Sequence, residues 1–528
     1  MEIFTIKGEN VILMYHPADE VADVGQQFAI LERPQKTEGL IVQIISNDSV
    51  EYPGLQQEII QKILEERTAR ASIVINREEG MGQIRNIKLA LAKIRKRIHN
   101  GQWQRWDGWI PTRNVEISPV DADTLIRNIL PSPEPPTPNV PLRTFCRFGG
   151  RDIRFNGPRL NMVNVITGVK GSGKSHIAKH LLLALAEAEV PCIVFDINGE
   201  YTALPNIQVL RWGKNFIPDL AKVGYEMLIR VQQAVYPLKE ASEATFQSRV
   251  KKEFEDRKKY CESRNQHFSI DINYLINQFM SWGEGGEASK TSKPYEYIRD
   301  AILRMLEIIN EKNLFLNDYN RERKPITDFK MAFEKAAQGE PIVFDMRDLE
   351  LALQSALVKS IHDMIEEICL EEADSGKGRF PFIFYEEAHF YVKEEIILNI
   401  ITRGRHIGIG SIFVTNTPQK LPDTVFRQLD NLFLLNLTHK DDIRHVSKNS
   451  FTDEDTIESF ATRLPERHAL IIGNVTDRYP LVVEVLPLPS DIQPTGRTKS
   501  TWDRFVQANH SIENERLEQA NNDDEVPF

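Results

Sequence analysis

The run Gly168-Val169-Lys170-Gly171-Ser172-Gly173-Lys174-Ser175 limits the fold of this 528-residue chain more than any other segment. Its three glycines let the backbone turn tightly and aim successive amide hydrogens at an anion, and the positive end of a following helix adds to the pull. An apolar, strand-like run (MVNVITG, from Met162) precedes it, and SHIAKHLLLALAEA follows with helical character. Strand, glycine-rich loop and helix in that order predict a nucleotide-binding unit. Lys174 would reach the β- and γ-phosphates, and the Ser175 hydroxyl would complete the coordination of Mg2+. Gly168, Gly171, Ser172, Gly173, Lys174, Ser175 and His176 are the residues expected to contact the nucleoside triphosphate.

Five further apolar runs follow the same scheme: PCIVFDING from Pro191, PIVFDM from Pro341, PFIFYEEAH from Pro381, GSIFVTNTP from Gly410 and NLFLLNL from Asn431. Continuous apolar strands alternating with helices predict a parallel sheet covered on both faces. Residues 235–335 are charged and helical in character and read as an insertion. The proline-rich stretch 131–141 cannot be helix or central strand, because its prolines lack the amide hydrogen, and it reads as a linker. Before it, NVILMYH, QFAILE and LIVQIIS have the spacing of a small β-barrel or sandwich. Ile84, Ile87, Leu91, Ile94 and Ile98 fall on one helical stripe, with Lys88, Lys93, Arg95, Lys96 and Arg97 mostly elsewhere, which predicts a basic amphipathic helix with a solvated face. The expected layout is an N-terminal barrel with the basic segment over 1–130, the linker, a nucleotide domain over 142–234 and 336–490, the helical insertion over 235–335, and a C-terminal extension with an acidic tail over 491–528.

A net charge of -11 means that any contact with nucleic acid must come from a local basic face or pore. The four cysteines lie far apart, which argues against a zinc site or a disulfide framework. No run of about 20 apolar residues is present. A soluble, cytoplasmic protein with no membrane partner is expected.

Phosphate cleavage needs carboxylates beside the loop. FIFYEEAH ends an apolar strand in Glu386 and Glu387, placing both at the carboxyl edge of the sheet, where open α/β sheets bind ligands. Glu386 is expected on the metal side, and Glu387 is expected to orient or deprotonate the attacking water. VTNTPQ ends another strand in Thr415 and Asn416, polar groups able to report on the γ-phosphate. Arg403 and Arg405 stand just before that strand. Either is a surface arginine or one inserted into a neighbouring subunit's site to stabilise transition-state charge.

These segments resemble the HerA branch of the FtsK–HerA superfamily of hexameric, RecA-like, DNA-pumping ATPases. The resemblance is carried in order by the loop at 168–175, by FDINGEY at 195–201 (similar to that family's D-P-H-G-E-Y), by YEEAHFYV at 385–392 and by RGRHIGIGSIFVTNTPQKLP at 403–422. It implies an α/β fold, a RecA-like P-loop NTPase core behind a small N-terminal β-barrel. It also implies that Lys174 and Ser175 hold ATP and Mg2+, Glu386 is the Walker B acid, Glu387 the catalytic glutamate, Asp196 an acid close to the active site, and Arg405 the trans-acting finger with Arg403 as fallback. Asn416 stands where the family has glutamine, one methylene longer.

The implied partners are a homo-hexameric ring, double-stranded DNA, and a separate effector such as a NurA-like nuclease, a Sir2-like NAD-consuming enzyme or another nuclease, as in antiphage systems. The basic segment and the barrel are the candidate docking surface. A different reading makes the chain an ATP-binding scaffold that organises an effector with little translocation. A third, a membrane-tethered conjugation coupling protein, lacks the transmembrane segment it needs.

Overall fold

The computed structural model describes residues 1–15, 20–47, 88–112, 114–130, 139–160, 162–282, 293–375, 379–391, 394–448, 451–489 and 492. Most of the linker and nearly all of the C-terminal extension lie outside these residues.

The N-terminal strands are β1 (Glu2–Lys7), β2 (Asn10–Tyr15), β3 (Gln27–Glu32), β4 (Gly39–Ser46), β5 (Lys88–His99), β6 (Gln102–Gln104) and β7 (Val115–Pro119). They pair antiparallel in the order β1-β2-β5-β4-β3-β7, with β6 on β5. Among the described residues β1 and β7 end the sheet without pairing, so it is an open, barrel-like sheet. Leu13, Ile30, Leu40, Val42, Ala90 and Ala92 fill its buried face.

β5 corrects the expectation of a basic helix at 84–98, of which residues 84–87 lie outside the described part. The helical stripe came from counting large apolar residues only. Ala90 and Ala92 are fully buried and restore a strand alternation, and the register against β4 slips opposite Ile41/Val42, so that Arg95 has no paired partner. Pairing along the continuous apolar β4 outweighs local helical preference.

Nor is the basic run a solvated face. Lys93, with a side chain only 3% exposed, lies 3.0 Å from Asp453, 3.3 Å from Glu9 and 3.4 Å from Asp455. The Arg95 guanidinium donates to Gln43 Oε1 at 3.0 Å and Thr456 Oγ1 at 2.9 Å, and Lys96 Nζ donates to the Asp477 carbonyl at 3.0 Å. These cations fasten the N-terminal sheet to the helix Glu454–Ala461 and the turn at Asp477, and are not available as the docking surface expected of them. Arg95→Ala would leave buried Gln43 and Thr456 short of a partner, and is expected to cost about 1–3 kcal/mol in urea unfolding. Unchanged stability would refute this fastening role.

The main sheet holds β8 (Cys146–Phe148), β9 (Arg151–Ile153), β10 (Val163–Thr167), β11 (Cys192–Asp196), β12 (Gln208–Leu210), β13 (Ile342–Asp345), β14 (Phe382–Glu386), β15 (Gly410–Thr415), β16 (Asn431–Leu434), β17 (His468–Gly473) and β18 (Leu481–Val485). Its order is β12-β13-β11-β14-β15-β10-β16-β17-β18-β8-β9. From β12 to β16 neighbours are parallel; from β16 to β9 they are antiparallel. Within the parallel half, β10, β11, β13, β14, β15 and β16 match the apolar runs, whereas β12, β17, β18, β8 and β9 extend the sheet in a way that those runs do not announce.

One face is covered by the helix Lys174–Glu187, whose Ile177, Leu181 and Leu185 pack with Ile166, Val194 and Ile412. The other is covered by helices Leu220–Val235, Leu351–Asp374 and Glu394–Ile407. Helices Glu240–Ser263, Ile272–Met280 and Lys293–Glu311 join the same apolar cluster, with Phe246 and Leu306 in it beside Phe195 and Phe344. All four cysteines are buried and unpaired by disulfides. Among the described residues, no helix is long and apolar enough to cross a membrane.

His362, on the helix Leu351–Asp374, is buried with Nε2 lacking a hydrogen-bond partner among the described residues, and burial lowers its pKa to about 4. As pH falls below the unfolded value of 6.5, the unfolded chain takes up a proton that the folded chain refuses, so stability is lost through that window. Glu386, pushed up to about 8 by burial, runs in the opposite sense, so the test is relative. His362→Leu should gain about 2 kcal/mol on the wild type between pH 7 and pH 5 in chemical denaturation. Parallel curves for the two proteins would overturn this.

Candidate functional site

The parallel register sets the ends of four strands side by side. β10, β15, β14 and β11 are consecutive neighbours, with Thr167 opposite Thr415 and Glu386 opposite Val414. The glycine-rich loop, the Thr415 segment, the Glu386–Glu387 pair and the turn after Asp196 therefore share one edge.

The loop runs from β10 into the helix Lys174–Glu187, whose N-cap is Gly173 at φ 107°, a conformation suited to glycine. A Cβ on Gly168 would lie 2.7 Å from Ser172 Oγ and 2.9 Å from Leu435 Cβ, so the turn closes only without one. The segment after β16 braces it: the Val169 N–H donates to the Asn436 carbonyl at 2.8 Å and the Leu435 N–H to the Thr167 carbonyl at 2.8 Å. Lys174 is buried, and its amine donates to the Val169 carbonyl at 3.1 Å. Burial pulls its pKa down, against the opposing pull of Glu387, Glu386 and Glu200.

Glu386, 2% exposed, accepts from the Ser175 hydroxyl at 3.3 Å through Oε1 and from the Tyr201 hydroxyl at 2.7 Å through Oε2. Burial raises its pKa to about 8, and Glu200, Asp196 and Glu387 add to the shift. At Glu387 the chain turns sharply with φ 49°, a left-handed conformation that costs a non-glycine residue about 1–2 kcal/mol. This bend directs its carboxylate to the Asn416 N–H, 3.3 Å away, and burial pushes its pKa up. His389 Nδ1 lies 3.1 Å from Thr415 Oγ1 and 3.6 Å from Glu387 Oε2, joining the two strand ends.

Asp196 is fully buried and accepts four backbone N–H groups: those of Asn198, Gly199 and Glu200 on Oδ1, at 3.1, 2.7 and 3.1 Å, and that of Tyr201 on Oδ2 at 2.9 Å. Its carboxylate is occupied in shaping the turn. Asn416 meets the site through its backbone, while its side-chain Oδ1 accepts from the Thr417 hydroxyl at 2.6 Å. Arg403 is 70% exposed and lies 4.0 Å from Glu366. Arg405 lies on the helix Glu394–Ile407, but its side chain is outside what is described. The His176 imidazole donates from Nε2 to the Leu486 carbonyl at 2.8 Å and is directed there instead of into the loop.

Residues 154–365, which span the loop, the Asp196 turn and β13, match the model of the helicase HerA central domain. Over these residues the chain is similar to the central domain of helicase HerA. It is 24% identical over 360 residues to the DNA double-strand break repair helicase HerA of Sulfurisphaera tokodaii, covering 63% of this chain and 66% of that protein. It is 24% identical over 343 residues to a probable helicase of Methanocaldococcus jannaschii, covering 61% of each. The match thus spans less than two thirds of these relatives' length. Among solved structures, VirB4 of Thermoanaerobacter pseudethanolicus aligns with a TM-score of 0.47 and 13% identity over 67% of this chain and 98% of that one. The bacterial conjugative coupling protein TrwB aligns with a TM-score of 0.43 and 13% identity, covering 67% and 91%.

The loop and the strand ends beside it have the groups that a triphosphate and its metal require. Ser172 Oγ and Thr167 Oγ1 are buried and have no hydrogen-bond partner among the described residues, the loop closes only around glycine, and Ser175 and Glu386 converge as a hydroxyl and carboxylate oxygen pair suited to a hard cation. Tyr201, His389 and the Leu435–Asn436 brace went unassigned in the sequence. The first two fall inside the motifs quoted above, but only the fold shows what they touch.

Proposed function

We propose that the HerA-type core binds and hydrolyses ATP, with Lys174 on the phosphates and Glu387 taking a proton from the attacking water. The observation that carries this reading is the meeting of the P-loop hydroxyl of Ser175 with Glu386, beside a Glu387 held in a costly backbone conformation against the Asn416 amide. Ser175 and Glu386 would hold Mg2+, which would neutralise charge on the phosphates. Arg403 or Arg405 would act on a neighbouring subunit's nucleotide. The exposed Arg403, whose partner is Glu366 on the adjoining helix, supports an arginine presented outward from this helix.

A site of that kind requires a ring of subunits, six by the family resemblance, and the motor we propose moves double-stranded DNA through it. Its relatives in Sulfurisphaera and Methanocaldococcus are named as helicases, which supports the choice of DNA. A separate nuclease or Sir2-like effector, in an antiphage setting, is carried over from the resemblance. The test is ATP turnover with and without duplex DNA at rising salt, since phosphate contacts weaken as salt is added. DNA stimulation that fades with salt is expected. No stimulation, together with partner activity that survives in Glu387→Gln, would replace the motor with an ATP-binding scaffold.

A further inference from the structure

We infer that Tyr201 is a positioning residue for the metal-side carboxylate: its hydroxyl holds Glu386 Oε2 so that Oε1 faces Ser175, and the Asp196 turn exists to hold Tyr201 there. The inference rests on the reading of Glu386 and Ser175 as the cation-facing pair.

A carboxylate at a strand end can rotate about its last bonds, and a cation gains most from an oxygen already aimed at it. Here the rotation is blocked. Tyr201 is fully buried, as is Tyr391, and its hydroxyl donates to Glu386 at 2.7 Å. The other oxygen meets the Ser175 hydroxyl at 3.3 Å, so the two oxygens are committed to different directions. Tyr201 has little room to move. Its backbone N–H is bound by Asp196 Oδ2 at 2.9 Å, and the Lys179 amine lies 5.7 Å from the centre of its ring. The turn between them is closed from outside: at Gly199, φ 72°, a Cβ would fall 2.4 Å from the Arg347 guanidinium, which is paired with Asp345 through Nε at 2.9 Å and Nη2 at 2.7 Å. Asp196 thus acts on the reaction through Tyr201 and Glu386, without touching nucleotide.

The experiment titrates Mg2+ into the full-length protein with a fluorescent ATP analogue and repeats the binding in EDTA. Tyr201→Phe keeps the ring and removes only the hydroxyl. It should raise the Mg2+ concentration at half-maximal effect by about tenfold, the lower end for loss of a supporting partner of a metal ligand. Affinity in EDTA should stay within about twofold, since the P-loop contacts are untouched. Asp196→Asn presents an amide to the Tyr201 N–H and should give the same shift. The double variant should be no worse than either single one, as expected of residues acting in series. A Tyr201→Phe protein with wild-type Mg2+ dependence, or one that loses affinity equally with and without metal, overturns the inference. Should a single variant unfold, judged by its melting curve, the other decides. If Mg2+ does not tighten nucleotide binding in the wild type, the reading of Glu386 itself falls.

Discussion

Glu387→Gln should lower ATP turnover by about 100-fold to 10,000-fold while ATP still binds, the range for removing a general base. Glutamine is nearly isosteric and can still meet the Asn416 N–H through its carbonyl oxygen, so the bend at φ 49° is retained and only the proton acceptor is lost. Lys174→Ala is the complement. It removes the amine that would meet the phosphates and should abolish binding and turnover together. Steady-state turnover beside equilibrium binding separates the two. A Glu387→Gln protein with near wild-type turnover would mean that the base lies elsewhere, and a Lys174→Ala protein that binds ATP normally would mean that the loop is not the phosphate site.

Arg405→Ala should lower turnover by about 1,000-fold or more and spare binding, as loss of a trans arginine does in other phosphoryl-transfer sites. The decisive measurement mixes Arg405→Ala with Glu387→Gln subunits. If the arginine serves a neighbour, some interfaces in mixed rings pair an intact P-loop side with an intact arginine, and activity returns. If the arginine serves its own subunit, every site stays defective at any ratio. Arg403→Ala is the control for which residue acts: Arg403 pairs with Glu366 at 4.0 Å on the same chain, and its loss should be milder.

The proposed chemical residues lie in short motifs, and that is why they could be read in order along the chain. A glycine-rich loop between an apolar strand and a helix, and a carboxylate pair closing another strand, carry their geometry in a few consecutive residues. The parallel strands other than the edge strand β12 were legible for the same reason, since strands buried on both faces leave continuous apolar runs. β5 was not legible. Its buried positions are held partly by Ala90 and Ala92, and its partner β4 lies more than 40 residues away across a segment outside the described residues.

Local sequence thus determined which side chains we propose for chemistry on a phosphate: Lys174, Ser175, Glu386 and Glu387. Tertiary structure decided how they are held. The hydrogen bond from Tyr201 to Glu386 joins residues 185 positions apart, and that from Arg95 to Thr456 joins residues 361 apart. Contacts at such separations depend on strand order and register, which no local pattern encodes. For the same reason the basic run at 93–97 reads as solvated from its charges, yet in the fold the side chains of Lys93, Arg95 and Lys96 are covered between the N-terminal sheet and the elements around β17, where opposing carboxylates and hydroxyls make that burial tolerable.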